Sequence, residues 1–128
     1  MAPTGEPAQP GQPLTPAVFH ILLALAGGER HGYGIMQEVE ALTAGRVRLG
    51  PGTLYRSIQC LLAAGLIAEA AEWPDPALGA ERSRYYRLTD RGRRLAAAEA
   101  QRLADLVRVA RTRRLLPAAD SATIMGRA

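Results

Sequence analysis

The segment from Leu49 to Arg56, which reads LGPGTLYR, constrains the fold of this chain more than any other. Pro51 suits the first turn of a helix, because it lacks an amide hydrogen that would have no partner there and its φ angle is already helical. Apolar side chains then recur at helical spacing, at Leu54, Ile58, Leu61 and Leu62. The pattern predicts a helix from Pro51 to Ala64 with one apolar face.

The opposite face of this predicted helix is small, polar and basic. It comprises Gly52, Arg56, Gln59, Cys60 and Ala63. A helix that enters a DNA major groove needs little bulk and side chains that match base edges, as Arg56 matches guanine and Gln59 matches adenine. This face is therefore a candidate DNA-reading surface. An ordinary amphipathic surface helix shows the same apolar stripe, and this segment alone favours that plainer interpretation until the segments that follow are considered.

Two strand-forming segments follow the helix. The first runs from Leu66 to Trp73, residues 74–79 contain two prolines and a glycine that break it, and residues 83–88 form the second. In the second segment Tyr86 and Leu88 share the face that we expect to point to the core, and Tyr85 shares the other face with its neighbour at position 87. The two segments predict a β-hairpin whose loop is a wing.

Three more helices are predicted around this unit, over about residues 15–27, 33–43 and 91–114, with caps at Thr15 and Thr89. The order of elements is helix, helix, helix, strand, wing, strand, long helix. That order is typical of a winged helix-turn-helix. The predicted fold class is therefore mainly α with a small β-hairpin, a winged helix-turn-helix plus a long C-terminal dimerisation helix.

Four blocks of sequence stand in a characteristic order. They are His31-Gly32-Tyr33-Gly34-Ile35, Gly50-Pro51-Gly52-Thr53-Leu54-Tyr55, Leu61 with Gly65-Leu66-Ile67, and Arg84-Tyr85-Tyr86-Arg87-Leu88-Thr89 with Gly92. As a set, over about residues 14 to 114, they resemble the motifs of the PadR family of bacterial transcriptional regulators. The resemblance implies a small homodimeric DNA-binding repressor, of which many relatives are released from their operators by a small aromatic compound or drug. It also implies a DNA backbone contact from Tyr33.

Charge is unevenly distributed along the 128 residues, whose net charge is +4. Residues 1–45 contain one Arg against four Glu, whereas residues 46–128 contain 15 Arg against eight acidic residues. The basic part includes the predicted reading helix, the wing and the long helix, as a phosphate-binding surface requires. The expected partner is double-stranded DNA with an inverted-repeat operator, whose half-sites lie about 34 Å apart or a multiple of that distance.

The other predicted DNA contacts are to the sugar-phosphate backbone. Gly52 allows the helix N-terminus to approach a phosphate, and Thr53 holds one through its hydroxyl. Tyr55 either does the same or belongs to the core boundary, and both interpretations stay open. Arg82 and Arg84 in the wing either reach phosphate or the minor groove, or are the charges of a solvated turn.

The first and last helices predict self-association. Residues 17–26 are apolar nearly all round, and a small domain seldom hides every face of such a helix. The long helix spans about 36 Å and keeps apolar residues on one side. The predicted dimer contacts are Leu22, Leu25, Leu103, Leu106, Val107 and Ala110. The alternative is a long helix that folds back onto its own domain.

An effector site follows only from the family resemblance, which implies a cavity between the first helix and the long helix, with an aromatic side chain against a flat ligand. This chain departs from that pattern, since its long helix has no aromatic residue and its only Trp, Trp73, lies near the wing. Phe19 and His20 are therefore the nearest candidates for ligand contact. A plain packed interface would use the same residues.

The sequence argues against an enzyme, a metal site and a membrane protein. No nucleophile and base recur at a recognisable spacing, and His20 is expected to be a buried, hydrogen-bonded residue. The single cysteine, Cys60, allows neither an internal disulfide nor a thiolate metal site, and we expect no cofactor. The apolar segment 17–26 is too short to span a bilayer and no secretory signal is visible, so the expected location is the cytoplasm. The alternative function class is a winged-helix protein–protein interaction module, an adaptor or antirepressor without an operator of its own.

The expected organisation is one domain with two tails. Residues 1–13 contain four prolines and no apolar run, which predicts a disordered N-terminal tail. The winged helix-turn-helix is expected over residues 14–89, the dimerisation helix over residues 90–116 and a second tail over residues 117–128. The hydrophobic content of 48% is enough for one modest core.

Overall fold

The computed structural model describes residues 13–70 and 84–118. In chain order the elements are α1 (Pro16–Ala26), β1 (Arg30–His31), α2 (Gly32–Leu42), α3 (Pro51–Ala63), β2 (Ile67–Glu69), β3 (Tyr85–Leu88) and α4 (Asp90–Thr112). This mainly helical architecture with a small sheet, in winged helix-turn-helix order, confirms the predicted fold class, while the dimerisation role of the long C-terminal helix stays a prediction. The predictions for Trp73, for Arg82 and, apart from residues 13, 117 and 118, for the two tails concern residues outside the described ones.

The described sheet has three strands in the order β1-β3-β2, and both pairs are antiparallel. β2 and β3 are the predicted hairpin, in which Ala68 lies opposite Arg87. Strand β1 was not predicted, because Arg30 and His31 carry no alternating apolar pattern. The short strand forms because pairing with the other edge of β3 satisfies backbone groups there, with Arg30 opposite Tyr86.

Side-chain caps determine where three helices begin. Thr15 Oγ1 accepts a hydrogen bond from the amide three residues later (3.2 Å), and Thr89 Oγ1 does the same at α4 (3.0 Å). Both caps agree with the sequence analysis. At α2 the cap is His31, whose Nδ1 accepts from the amide of Gly34 at 2.8 Å. Sequence reasoning missed it because histidine is not among the side chains preferred at this position.

The core lies between α1, α2, α3, the sheet and the first half of α4. α1 packs against α2, α3, β3 and α4 of the same chain, so the expectation that a partner must cover it is wrong for most of its surface. Leu22 and Leu25 are 0% and 2% exposed in the single protomer. This corrects two predicted dimer contacts, because both side chains face their own core. Leu23, at 41%, is the large apolar side chain that α1 leaves exposed.

α4 is buried only in its first half. Gly92, Leu95 and Glu99 are its buried residues. From Ala100 onward every described side chain is either half-buried or exposed. The long helix therefore folds back onto its own domain, the alternative to dimerisation, only over about its first three turns. We call residues 100–112 the distal half of α4. Of the helices in the described parts of the chain, none combines the length and apolar character that a bilayer-spanning segment needs.

Glu99 is a buried charge between α1 and α4. Arg102 Nε and Nη2 donate to its two carboxylate oxygens at 2.9 and 2.7 Å, and the backbone amide of Leu14 also donates to it. The hydrogen bonds from Arg102 hold the pKa of Glu99 below its usual value although burial opposes this shift. Sequence analysis did not single out Glu99. The sequence feature that indicates this buried charge is an acidic residue at the same helical spacing as Leu95 and Leu103, on the apolar side of the helix.

Candidate nucleic-acid interface

α3 separates a buried apolar face from an exposed polar one. The buried side chains are Leu54, Ile58 and Leu61. The exposed ones on the opposite side include Gly52, Thr53, Arg56 and Gln59. Since positions 52, 56 and 59 are three or four residues apart, they share one side of the helix, and position 53 lies beside them. The structure thus brings the four predicted contacts together on one surface, which we call the α3 outer face.

Arg56 is an exposed cation on the α3 outer face. Within residues 13–70 and 84–118 no carboxylate pairs with it. Five other arginines in these ranges do make ion pairs, namely Arg30, Arg48, Arg84, Arg102 and Arg108, with Glu38, Glu40, Glu69, Glu99 and Asp105. An unpaired guanidinium binds guanine or phosphate without first losing an ion pair.

Tyr55 lies at the boundary of the core rather than on the α3 outer face. Its side chain is half-buried and packs against the core cluster. A methyl group placed on Gly32 would lie only 2.6 Å from Tyr55 Oη, so glycine at the start of α2 makes room for the ring. Of the two interpretations left open by the sequence, the structure favours packing between α2 and α3 over phosphate binding.

The N-terminus of α3 is open to an approaching anion. Its N-cap is Gly50, which has no side chain to bond the first amides. Apart from its two chain neighbours and the backbone of its own helix, no described atom lies within 4 Å of the position where a side chain on Gly52 would begin. Free amides together with the positive end of the helix dipole favour a phosphate at this point.

Two arginines just before α3 were missed by the sequence analysis. Arg46 and Arg48 are exposed, while Val47 and Leu49 between and after them are half-buried and pack against the core. Arg48 also pairs with Glu40 across 3.2 Å. The signal was the strict alternation of basic and apolar residues over positions 46–49, which is typical of an extended segment with one buried side.

Two more predicted DNA contacts, the basic Arg84 and the aromatic Tyr33, lie close to strands β3 and β1 in the chain. Arg84 precedes β3, and its Nε lies 3.7 Å from the carboxylate of Glu69 on β2. Both side chains are exposed, so this pair contributes only about 0.2 to 1 kcal/mol and a phosphate competes with it. Tyr33, near the start of α2, is 54% exposed. The His31 ring lies 6.4 Å from the Tyr33 ring and 5.3 Å from that of Tyr85.

The distal half of α4 carries the remaining predicted dimer contacts. Leu106 and Val107 are 53% and 37% exposed, while Leu103 and Ala110 are half-buried. The structure adds exposed apolar side chains that were not predicted, at Val109, Leu115 and Leu116. We call Leu103, Leu106, Val107 and Ala110 the α4 stripe.

The two effector candidates are neighbours on α1. Phe19 and His20 are both half-buried, and their ring centroids lie 6.4 Å apart. His20 Nδ1 lies 2.5 Å from the carbonyl oxygen of Pro16, one turn earlier in the helix. His20 is thus hydrogen-bonded, as the sequence analysis expected, but it is not fully buried.

The class of protein to which this chain belongs follows from a match between its sequence and a known family. Residues 21–98 match the family described as the transcriptional regulator PadR-like family. The chain belongs to the PadR-like family. It is therefore a regulator of the winged-helix, DNA-binding type and not an enzyme, which confirms the resemblance seen in the four sequence blocks. No curated protein matches this PadR-like chain in sequence.

Solved structures support the fold of the PadR-like chain. A transcriptional regulator from Clostridium thermocellum is 22% identical, with a TM-score of 0.63 over 75% of this chain and 87% of that one. A PadR family transcription regulator from Clostridium difficile R20291 is 20% identical, with a TM-score of 0.60 over 75% of this chain and 95% of that one. At these identities the similarity concerns the fold, so the roles of single residues are argued from this chain's own side chains.

Proposed function

We propose that this PadR-like chain is a homodimeric, sequence-specific regulator that binds an inverted-repeat operator through α3. The α3 outer face carries the proposal, because Arg56 and Gln59 are exposed there on the side away from the core. Arg56 reads a guanine edge and Gln59 an adenine edge in the major groove.

Backbone contacts hold α3 in register on the duplex. The open N-terminus of α3 and the hydroxyl of Thr53 bind one phosphate region. Arg46 and Arg48, exposed just ahead of α3, and Arg84, exposed just before β3, supply further basic side chains. Such contacts supply affinity that depends on salt and little on sequence.

The α4 stripe supports dimerisation. Its residues follow at positions i, i+3, i+4 and i+7, and they continue the side of α4 that Leu95 and Glu99 bury in the first half of the helix. This side of α4 is covered by its own protomer in the first half and is apolar but uncovered in the distal half. Such a surface is suited to packing against the same helix of a second copy. A two-fold dimer then presents two α3 helices, which requires an operator with two inverted half-sites.

Repression relieved by a small aromatic or drug-like effector completes the proposal. Phe19 and His20 are half-buried on α1, the helix that packs against α4, so a flat ligand bound beside them contacts an element that adjoins α4. The ligand releases DNA only if it prefers a dimer geometry that misplaces the α3 helices, since equal affinity for both geometries shifts nothing. Release of bound DNA by compounds from an aromatic and drug-like panel tests this part.

Selection of genomic fragments tests the DNA-binding function. Purified protein is mixed with sheared DNA of its source organism, and bound fragments are sequenced. We expect a shared palindrome and an affinity that falls steeply with salt. A double variant, Arg56→Ala with Gln59→Ala, should lose the palindrome and keep weak, salt-dependent binding. A folded protein that enriches no fragment would contradict the proposal and would favour the protein–protein interaction module.

A further inference from the structure

The first turn of α4 is bonded directly to the end of α3. Thr89 Oγ1 donates to the carbonyl of Gly65 at 2.7 Å and accepts from the amide of Gly92, while the Thr89 amide donates to the carbonyl of Leu66 at 3.1 Å. Gly65 and Leu66 form the turn that ends α3, in which the Leu66 amide returns to the carbonyl of Leu61 at 3.0 Å. We call this junction the Thr89 anchor.

Gly92 makes the Thr89 anchor tight. A Cβ atom at this position would overlap the carbonyl group of Leu66. The backbone of α4 therefore approaches the backbone of Leu66 so closely that only glycine fits. The first turn of α4 therefore has little freedom to slide along the end of α3.

A second polar contact holds α4 further along. Glu99, 3% exposed, accepts hydrogen bonds from Arg102 on its own helix and from the backbone amide of Leu14, just before α1. Ten residues separate Glu99 from Thr89, which corresponds to about 15 Å along the helix. We call this contact the Glu99 anchor.

Because the Thr89 anchor and the Glu99 anchor lie apart along α4, together they determine the direction of the helix axis relative to the rest of the protomer. Beyond Glu99 none of the described residues of α4 is buried, so the distal half runs for about 20 Å with no side chain fully enclosed by the described part of its own protomer. A tilt of about 5° at the anchors moves its end by about 2 Å. In a dimer formed through the α4 stripe, such a tilt changes the separation of the two α3 helices.

We propose that Thr89, Gly92 and Glu99 are positioning residues that determine which operator half-site spacing the dimer accepts. The inference rests on the proposed function, because it takes α4 as the dimer helix and α3 as the reading helix. None of the three residues needs to touch DNA, since they act by holding α4 at one angle to α3. One added base pair shifts a half-site by about 3.4 Å and rotates it by about 34°. Two α3 helices that are held rigidly relative to each other cannot move far enough to match that change.

Operators of graded spacing test the inference. The selected palindrome is synthesised with its half-sites moved together or apart by one or two base pairs, and affinity is measured for each. The parent protein should lose about tenfold on a change of one base pair. In Thr89→Val and in Glu99→Leu the preference should shrink to about threefold or move to another spacing. Thr89→Ser keeps the hydroxyl and should retain the parent's profile.

A DNA-free distance measurement separates positioning from folding. A spin label is attached at the exposed end of α3 through Ala63→Cys in a Cys60→Ala background, and the distance between the two labels of the dimer is measured. We expect one narrow distance in the parent and in Thr89→Ser, and a broader or shifted one in Thr89→Val and Glu99→Leu. Thermal melting and sedimentation verify that each variant is folded and dimeric.

The outcomes distinguish the two levels of the proposal. If the parent neither dimerises nor binds a palindrome, the proposed function fails and this inference fails with it. If the parent binds a palindrome but the folded variants keep its spacing profile and its narrow label distance, only the inference fails. Glu99→Leu leaves the guanidinium of Arg102 unpaired, but that side chain is 28% exposed and reaches solvent, so the variant is expected to be less stable yet folded, and unfolding of Thr89→Val alone does not end the test.

Discussion

Arg56 and Arg84 show that two side chains of equal charge differ in what they can bind. Arg56 lies on the α3 outer face without an ion-pair partner among the described residues, whereas the guanidinium of Arg84 faces Glu69 on the neighbouring strand. Arg56 is therefore suited to a directional contact with a base edge. Arg84 is suited to a phosphate, which replaces one anionic partner by another.

Replacing Arg56 by alanine should relax sequence preference at one operator position. Loss of the guanidinium removes about 1 to 3 kcal/mol of discrimination there, because the bidentate contact with guanine disappears. Affinities for a set of single-base operator variants measure this. Arg113→Ala removes the same charge at the C-terminal end of α4 and is the matched control. Unchanged base preference in Arg56→Ala would contradict the assigned reading face.

Arg84→Ala should instead weaken binding to all sequences alike. It removes about one phosphate contact, so the slope of log affinity against log salt should fall by about 0.9. Titrations of operator and unrelated DNA at several salt concentrations measure the effect. A loss confined to the operator would mean that Arg84 reads a base.

Gly32→Ala should destabilise the fold because it brings a methyl group against Tyr55. The steric conflict with the hydroxyl and ring should cost about 1 to 3 kcal/mol of unfolding free energy. Tyr55→Phe removes the closest atom and should recover part of that loss in the double variant. Urea unfolding of the four proteins forms the double-mutant cycle. Additive effects would show that the two residues do not pack together.

At the scale of elements, α4 consists of two halves with different environments. Its first half is held against α1 through Leu95 and Glu99, and the turn before it is bonded to the end of α3. Its distal half presents the α4 stripe to solvent in the single protomer. The same helix therefore belongs to the protomer's core at one end and is available to a second copy at the other.

Leu106→Glu should shift the protein from dimer to monomer. A carboxylate in the middle of the α4 stripe would have to be desolvated in the interface, so the dissociation constant should rise at least about tenfold. Gln101→Glu adds the same charge on the opposite side of α4 and should leave assembly unchanged. Sedimentation over a range of concentrations provides the measurement. Equal assembly of both variants would exclude the α4 stripe as the dimer contact.

At the scale of the whole molecule, Glu99 joins the beginning of the described chain to the middle of α4. The backbone just before α1 and the middle of α4 meet at one buried carboxylate, with Arg102 as its counterion. Because this group is ionised in the fold, its contribution to stability depends on pH.

Acid should destabilise the fold through Glu99. Its pKa is lowered in the folded protein, so the ionised carboxylate contributes stability above its ordinary value of 4.5, and the contribution is lost as pH falls through the lowered folded pKa. Urea unfolding from neutral pH to well below 4.5 should show this decline. Glu99→Gln should show a smaller decline over the same range. An identical pH dependence in both proteins would contradict the role assigned to Glu99.

The features that the sequence determined by itself depend on near neighbours along the chain. The caps at Thr15 and Thr89, the buried stripe of α3 and the alternation of β3 all follow from periodicity and from contacts within one turn or one strand. For the same reason the exposure of Arg56 and Gln59 was predictable, since three or four residues of spacing set the side of a helix.

Only the tertiary structure decided which surfaces meet across distant parts of the chain. It paired the two residues of β1 with β3, enclosed Leu22 and Leu25 in their own protomer, placed Tyr55 against Gly32 and brought Glu69 to Arg84. These contacts join residues that are many positions apart, and local periodicity carries no information about what lies opposite. Packing determines the partner, and the partner determines whether a side chain is core, ion pair or free to bind.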